Sequence, residues 1–260
     1  MRSVLWTLVG VLGLAGAASA EVGLKVVPDE GWCDDHGWGS SRERYCEVRE
    51  ATWTATGATI AVDSQPNGGI EVVGWDRNEV RLRVKVVADG DTAAEAKSRA
   101  ASMHIETEGV IRARAAERAW ASFRLEVPRQ STLHLTSKNG GLHLRDLAGV
   151  VEATTVNGGV HLDAMGGRVT TRTTNGGVHI QLSGASWDGE SLDVETFNGG
   201  VHLQIPDDYN AHLQTSTVNG RIHAPEELRR QFDGKRLDVD LGHGGAPLRI
   251  ATRNGGLHVD

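Results

Sequence analysis

Six histidines occupy one fixed place in a repeated phrase: His143, His161, His179, His202, His223 and His258. The phrase reads NGGLH from Asn139 and Asn254, NGGVH from Asn157, Asn175 and Asn198, and NGRIH from Asn219. Imidazole titrates near neutral pH, and its unprotonated nitrogen is a good ligand for Zn²⁺, Cu²⁺ or Ni²⁺. If the copies stack as strands, outward imidazoles recur about every 4.8 Å. Neighbours could then share an ion, or repel one another once protonated. Repulsion of about 1 kcal/mol per adjacent pair in a water-like dielectric predicts folded-state pKa values below the usual ~6.5. Against a metal, a linear file offers two nitrogens per ion where three or four ligands are wanted. Asp163 and Asp260, two residues past their histidines, are the helpers in reach, and Arg145 opposes. A repeat-amplified surface residue with stacked rings accounts for the column more simply.

The positions around each histidine say which element carries it. Three and five residues after each asparagine stand apolar side chains, Leu142 and Leu144 in the first copy, Val160 and Leu162 in the second. Apolar–His–apolar is the period-2 pattern of a strand with one buried face. Before each asparagine a second strand alternates: Val151, Ala153 and Thr155 in one copy, Val169, Thr171 and Thr173 in the next. Each repeat is thus strand, Asn-Gly corner, strand, looser turn. Successive asparagines at 139, 157, 175, 198, 219 and 254 are separated by 18, 18, 23, 21 and 35 residues. A looser copy, NGGIE, begins at Asn67.

Asn-Gly is also a strong hairpin signal, so an antiparallel meander competes. Like residues in like columns matter only if copies lie on one another, and this favours an all-β parallel solenoid of two-strand coils. In that arrangement an internal Ser/Thr column and the asparagine column can hydrogen-bond along the stack. Glycine after asparagine is then expected for a positive φ at the corner. Length variation falls on the loose turns, at 183–190, 206–210 and 225–245, the last with an extra strand near 237–241. Loops on a rigid scaffold are common recognition sites. Trp187, Asp188, Asp207, Asp208 and Tyr209 are the loop-edge candidates, with ordinary solvated turns as the simpler reading.

The first half is less regular. Residues 60–73 suggest one repeat turn, and 80–87 a strand with Arg81, Arg83 and Lys85 outward. Thr92–Glu95 reads as a capping box opening an alanine-rich helix to about Met103. Strands near 110–115 and 122–127 follow. Residues 1–20 read as a secretory signal: Arg2, an apolar run to Ala18, then Ala18-Ser19-Ala20. No later stretch is apolar enough to span a bilayer. Removing the signal takes the formal charge from −7 to −8, since Arg2 is its one charge, and an acidic balance argues against nucleic acid. In an exported chain Cys33 and Cys46 read as a disulfide, worth about 3 kcal/mol in the chain-entropy model. A metal or redox pair with His36 lacks the usual Cys-x-x-Cys spacing. The organisation is signal 1–20, stapled segment 21–50, irregular β turns with a capping helix 51–128, and regular repeats 129–260.

The CEVRE segment, GGIEVVGWDR, the alanine-rich helix, the LEVP lead-in at Leu125–Pro128 and the serial T-x-NGG-[VL] turns, in that order, resemble a bacterial family. It is the secreted domain-of-unknown-function family provisionally labelled adhesin, and the likeness covers nearly the whole mature chain. The resemblance implies a β-solenoid of the cell envelope, periplasmic or at the surface, and supplies no catalytic residues. The expected role is non-catalytic binding or scaffolding towards an envelope glycan or protein. A polysaccharide lyase or hydrolase is the enzymatic alternative. Glycosidases need two carboxylates at a defined separation, whereas Glu152, Asp163, Asp193 and Glu195 are scattered. No calcium-roll spacing, regular outward threonine array or G-x-S-x-G elbow is present.

Overall fold

The structure is a computed structural model that describes residues 23–34, 42–114, 117–229 and 232–260. The expected signal over 1–20 and the residue His36 lie outside the described residues. The chain is all-β, with two eleven-stranded, mostly parallel sheets and, among the described residues, two short helices.

Each Asn-Gly corner sends its two strands into different sheets, so the hairpin alternative does not occur. The strands before the asparagines, such as Val150–Asn157 and Arg168–Asn175, build what we call the threonine sheet. Those after them, such as Val160–Asp163 and Val178–Gln181, build the histidine sheet. Pairing is parallel and column-true: Leu142 lies opposite Val160, His143 opposite His161, Val151 opposite Val169, and Thr155 opposite Thr173. The apolar columns of both sheets face each other and are buried in one continuous core. Period-2 patterning therefore decides which side chains are dry.

The copies do not stack in chain order. Val201–Gln204 pairs with Leu257–Val259, and that strand in turn pairs with Ile222–His223. In the threonine sheet Pro247–Asn254 likewise sits between Ser191–Asn198 and Ala211–Asn219. The last copy is inserted between the fourth and fifth. The long connector makes this possible: Arg236–Leu241, the extra strand expected there, runs antiparallel onto Ala211–Asn219 and closes that end. The chain then returns and fills the slot left open.

The asparagines form the expected ladder, in the spatial order. Asn157 donates to Asn139 at 2.7 Å, Asn175 to Asn157 at 2.8 Å, Asn198 to Asn175 at 2.9 Å, Asn254 to Asn198 and Asn219 to Asn254 at 2.8 Å each. The threonines, by contrast, do not bond one another. Thr173 Oγ1 donates to the Gly158 carbonyl at 3.0 Å and Thr196 Oγ1 to that of Gly176 at 2.9 Å. Each of the threonine hydroxyls two places before an asparagine thus ties its strand to the preceding corner of the stack, satisfying a buried polar pair.

The corner glycines are needed for a reason other than the expected one. Of the glycines directly following these asparagines, Gly68 alone has a positive φ. A Cβ on Gly158, Gly176 or Gly199 would instead sit 1.9–2.1 Å from the carbonyl oxygen of the preceding corner. Close backbone approach is the constraint. At the second glycine the neighbour is further off: 3.4 Å for Gly159 and 3.5 Å for Gly177.

Towards the N-terminus the histidine sheet is continued by the longer strands Ala119–Pro128, Glu79–Gly90 and Glu43–Thr54, and by the short Lys25–Val27, paired with one another in the antiparallel sense. The repeat at Asn67 takes part in the stack through Ile60–Asp63 and Ile70–Trp75. Helix Ala93–Ala101 begins as expected, with Thr92 Oγ1 accepting from the Glu95 amide at 3.2 Å. It ends two residues short of Met103 and packs on the strands 79–90 and 43–54. Arg83 is not outward-exposed: it is 6% accessible and bonds Glu30 at 2.8 Å and the Pro28 carbonyl at 3.0 Å. The segment that covers it is held by the Cys33–Cys46 disulfide, which is formed.

Two stability outcomes follow. Gly176→Ala should lower the unfolding free energy by about 2–3 kcal/mol, as overpacked backbone does. Gly177→Ala should cost under about 1 kcal/mol, and urea unfolding of both compares them. Thr171 Oγ1 is buried without a hydrogen-bond partner, as is Thr215 Oγ1, in a column whose other members are Leu135, Ala153, Val194 and Ile250. Thr171→Val should therefore raise stability by about 1 kcal/mol in the same assay.

Candidate functional site

The histidine sheet turns its polar columns outward, and the six histidines lie there as one file. Its order is His143, His161, His179, His202, His258, His223. Beyond His143 the column continues with Glu71, which accepts from Arg124 Nε at 2.8 Å.

The file has two geometries. His143 and His161 stack with centroids 4.5 Å apart and planes 9° apart, and His161 and His179 at 4.9 Å and 7°. His179 then meets His202 edge-on at 5.8 Å and 78°. His202 and His258 are tilted by 58° at 5.4 Å, and His258 and His223 by 44° at 6.0 Å. An imidazole lone pair lies in the ring plane. In the stacked half the lone pairs therefore run parallel and cannot converge on one ion. As the rings stand, adjacent histidines of the stacked half are near one another but not aimed at a common point.

At the tilted half a carboxylate joins the rings. His202 Nε2 lies 2.5 Å from Asp260 Oδ2, and His258 Nε2 lies 2.7 Å from Asp260 Oδ1. The Asp260 backbone is fixed on both sides, its amide donating to Leu203 and its carbonyl accepting from Ile205, each at 2.9 Å. The hydrogen bond from His202 is the largest influence and holds the Asp260 carboxyl below its ordinary pKa; desolvation opposes it, and the charges of His258 and His202 add to the lowering. His161 sits between two rings. That loss of water, and after it the charges of His143 and His179, lowers its pKa from the ordinary value.

Beside the file runs a second outward column, Arg145, Asp163, Gln181 and Gln204. The two columns border an open trough of about 400 Å³ that starts at Glu71 and reaches His202. It presents donors and acceptors of both signs over a rigid strand floor.

The other sequence candidates fall differently. Trp187 and Tyr209 are not at the loop edge. They are 5% and 3% accessible, Trp187 Nε1 donates to the Gly167 carbonyl at 3.0 Å, and burial pushes the Tyr209 pKa up to about 12. Their large apolar rings fill the core beneath the longer turns. Asp188, Asp207 and Asp208 are exposed, as loop residues should be. The scattered carboxylates do not come together: Asp163 is on the histidine sheet, while Glu152, Asp193 and Glu195 are on the threonine sheet. There Glu152 pairs with His134 at 3.3 Å, Glu195 with Arg172 at 3.5 Å, and Asp193 with Arg249 at 3.4 Å. Cys33 and Cys46 are consumed by their disulfide. The Asp260 contact was half visible in the sequence, as a helper two residues past a histidine. Its reach to two histidines depends on the inserted last copy.

The lowered His161 pKa has a definite sign in stability. Between that value and the unfolded ~6.5 the unfolded chain binds more protons than the folded one. Stability is thus undiminished above about pH 6.5 and falls as pH drops through the window towards the folded pKa. An NMR titration should place the His161 midpoint below 6.5. A midpoint at or above that of a free histidine contradicts this account.

No family model matches the chain, and no curated protein sequence matches it either. Solved structures do align with it. A provisionally labelled cell adhesion protein from Clostridium sporogenes ATCC 15579 is 9% identical, with a TM-score of 0.42 over 84% of this chain and 99% of that one. A provisionally labelled adhesin from Bacteroides fragilis NCTC 9343 is 10% identical, with a TM-score of 0.39 over 82% and 97%. Another so labelled, from Parabacteroides distasonis ATCC 8503, is 8% identical, with a TM-score of 0.26 over 82% and 97%. The adhesin label is the one carried by the family that the sequence resembles. Likeness at this level carries no argument about a ligand.

Proposed function

We propose that this chain is a non-catalytic envelope protein: an exported β-solenoid that holds out one strand face to a glycan or protein outside the cytoplasm. The observation that carries the reading is the trough along the histidine file. Its floor is in-register strands, so its side chains keep fixed spacings, as a binding surface that pays little ordering entropy requires. Its lining mixes Arg145, Asp163, Gln181 and Gln204 with flat imidazole rings, a set suited to hydroxyls, amides and carboxylates of an extended partner. The separation of the carboxylates onto two sheets, each of the threonine-sheet acids with a cationic or histidine neighbour, supports binding over glycoside cleavage. The Cys33–Cys46 disulfide supports an oxidising compartment. No helix among the described residues is long and apolar enough to cross a membrane. In this reading 129–260 forms the display scaffold, and 21–128 the stapled, helix-bearing end that finishes it.

The test is a glycan array and an envelope pull-down with wild type and Arg145→Ala/Gln181→Ala. Both substitutions lie on the exposed side of the sheet and should leave the circular dichroism spectrum unchanged. Loss of two polar contacts should weaken retention of the captured ligand about tenfold. Retention indifferent to the double variant, or release of cleaved glycan by wild type, contradicts the proposal.

A further inference from the structure

We infer that His202, His258 and Asp260 form a binding site for one divalent transition-metal ion. The ligand atoms of the three residues all lie within 4.8 Å of one another. They come from neighbouring parallel strands, Val201–Gln204 and Leu257–Val259, with Asp260 just past the second and held by backbone bonds on both sides. A tetrahedral ion at about 2.0–2.1 Å from its ligands spaces them roughly 3.3 Å apart. From the hydrogen-bonded arrangement, at 2.5 and 2.7 Å, each N–O pair must open by under about 1 Å, and the side chains that move are exposed or half-exposed. The 58° tilt between the two rings is what lets both Nε2 lone pairs aim at one point. In the stacked pairs, at 9° and 7°, they cannot.

The donor set selects the ion class. Two imidazoles and one carboxylate suit Zn²⁺, Cu²⁺ or Ni²⁺ and disfavour Mg²⁺ and Ca²⁺, which prefer all-oxygen sites. On binding, Nε2 of each ring gives up its proton to become a ligand and any proton the neutral ring keeps is on Nδ1, so the hydrogen bonds to Asp260 are exchanged for metal bonds. Water completes the coordination. His179 and His223 flank the pair, with ring centroids 5.8 Å from His202 and 6.0 Å from His258. Such a site would place one positive centre at the end of the file opposite the Glu71–Arg124 pair. It stands independently of what the trough binds.

Equilibrium dialysis and calorimetry of the tag-free chain with zinc chloride at pH 7.5 test the site. Saturable uptake of one ion per chain is expected. His258→Ala and Asp260→Asn should each weaken it at least about tenfold, the scale of loss seen when a metal site is perturbed. His161→Ala, in the stacked half, should leave it within about twofold. Histidine NMR of wild type should show zinc moving the ring signals of His202 and His258, with the proton transferred to Nδ1. Uptake undiminished in both His258→Ala and Asp260→Asn, uptake lost in His161→Ala, or no saturable uptake up to about 1 mM zinc overturns the inference. Copper binding tighter than zinc at the same residues supports it, as the affinity order of these ions anticipates.

Discussion

The contact between one corner glycine and the next is what the rest of the structure depends on. Gly158 and Gly176 approach so closely that no side-chain carbon fits between Gly176 and the Gly158 carbonyl. That same carbonyl accepts the Thr173 hydroxyl from inside the core. The corner is therefore fixed twice, by exclusion and by a hydrogen bond. Once the corners are in register, the strands on either side of them must be too, because a slip of one residue would turn every apolar side chain outward. The files of leucine and valine, of asparagine and of histidine are consequences of this register.

Why one glycine of the pair is strict and the other relaxed can be read from Arg221. It occupies the second-glycine place in the copy at Asn219, and that copy is the outermost of the stack. Within the stack a second glycine meets the next backbone at 3.3–3.5 Å, as Gly200 meets Gly256 and Gly256 meets Arg221. The outermost copy has no further NGG repeat to meet among the described residues, so a side chain is tolerated there. Its apolar column also thins, ending in Ala224 where other copies carry leucine, isoleucine or valine. Terminal repeats are commonly atypical for this reason.

These details mark the boundary of what could be read from the residues alone. Period-2 patterning placed the histidines outward, the threonines inward and the two strands of each repeat, because burial is a local, one-residue property. The order of stacking was not legible from the column match, since identical copies pair equally well in any order. The clue lay in the exception: an atypical copy at 219 and a regular one at 254, joined by the longest connector. The glycine requirement was visible as a pattern, but its cause was not, because close approach of two backbones is a property of the neighbour. Trp187 and Tyr209 misled for a related reason. Polar company in a long turn suggests exposure, yet a long turn over an open core needs a large ring to fill it.

The ends of the stack show how a repeating edge is kept from growing. A parallel strand with free amides and carbonyls is a template for another copy. At the threonine-sheet end Arg236–Leu241 covers Ala211–Asn219 in the antiparallel sense, and Phe232–Asp233 covers it in turn. At the opposite end of the histidine sheet the strands from Ala119–Pro128 outward also change to antiparallel pairing. Antiparallel strands present a different hydrogen-bond spacing and no Asn-Gly corner, so a further copy finds neither its ladder nor its glycine contact. The remaining repeat edge is Ile222–His223, two residues long, too short to recruit a strand. Inserting the last copy inside the stack therefore does more than fill a slot. It leaves the weakest copy outermost and brings Asp260 beside His202, so the same topological choice that terminates the sheet also assembles the one place, among the described residues, where the histidine file converges on a carboxylate.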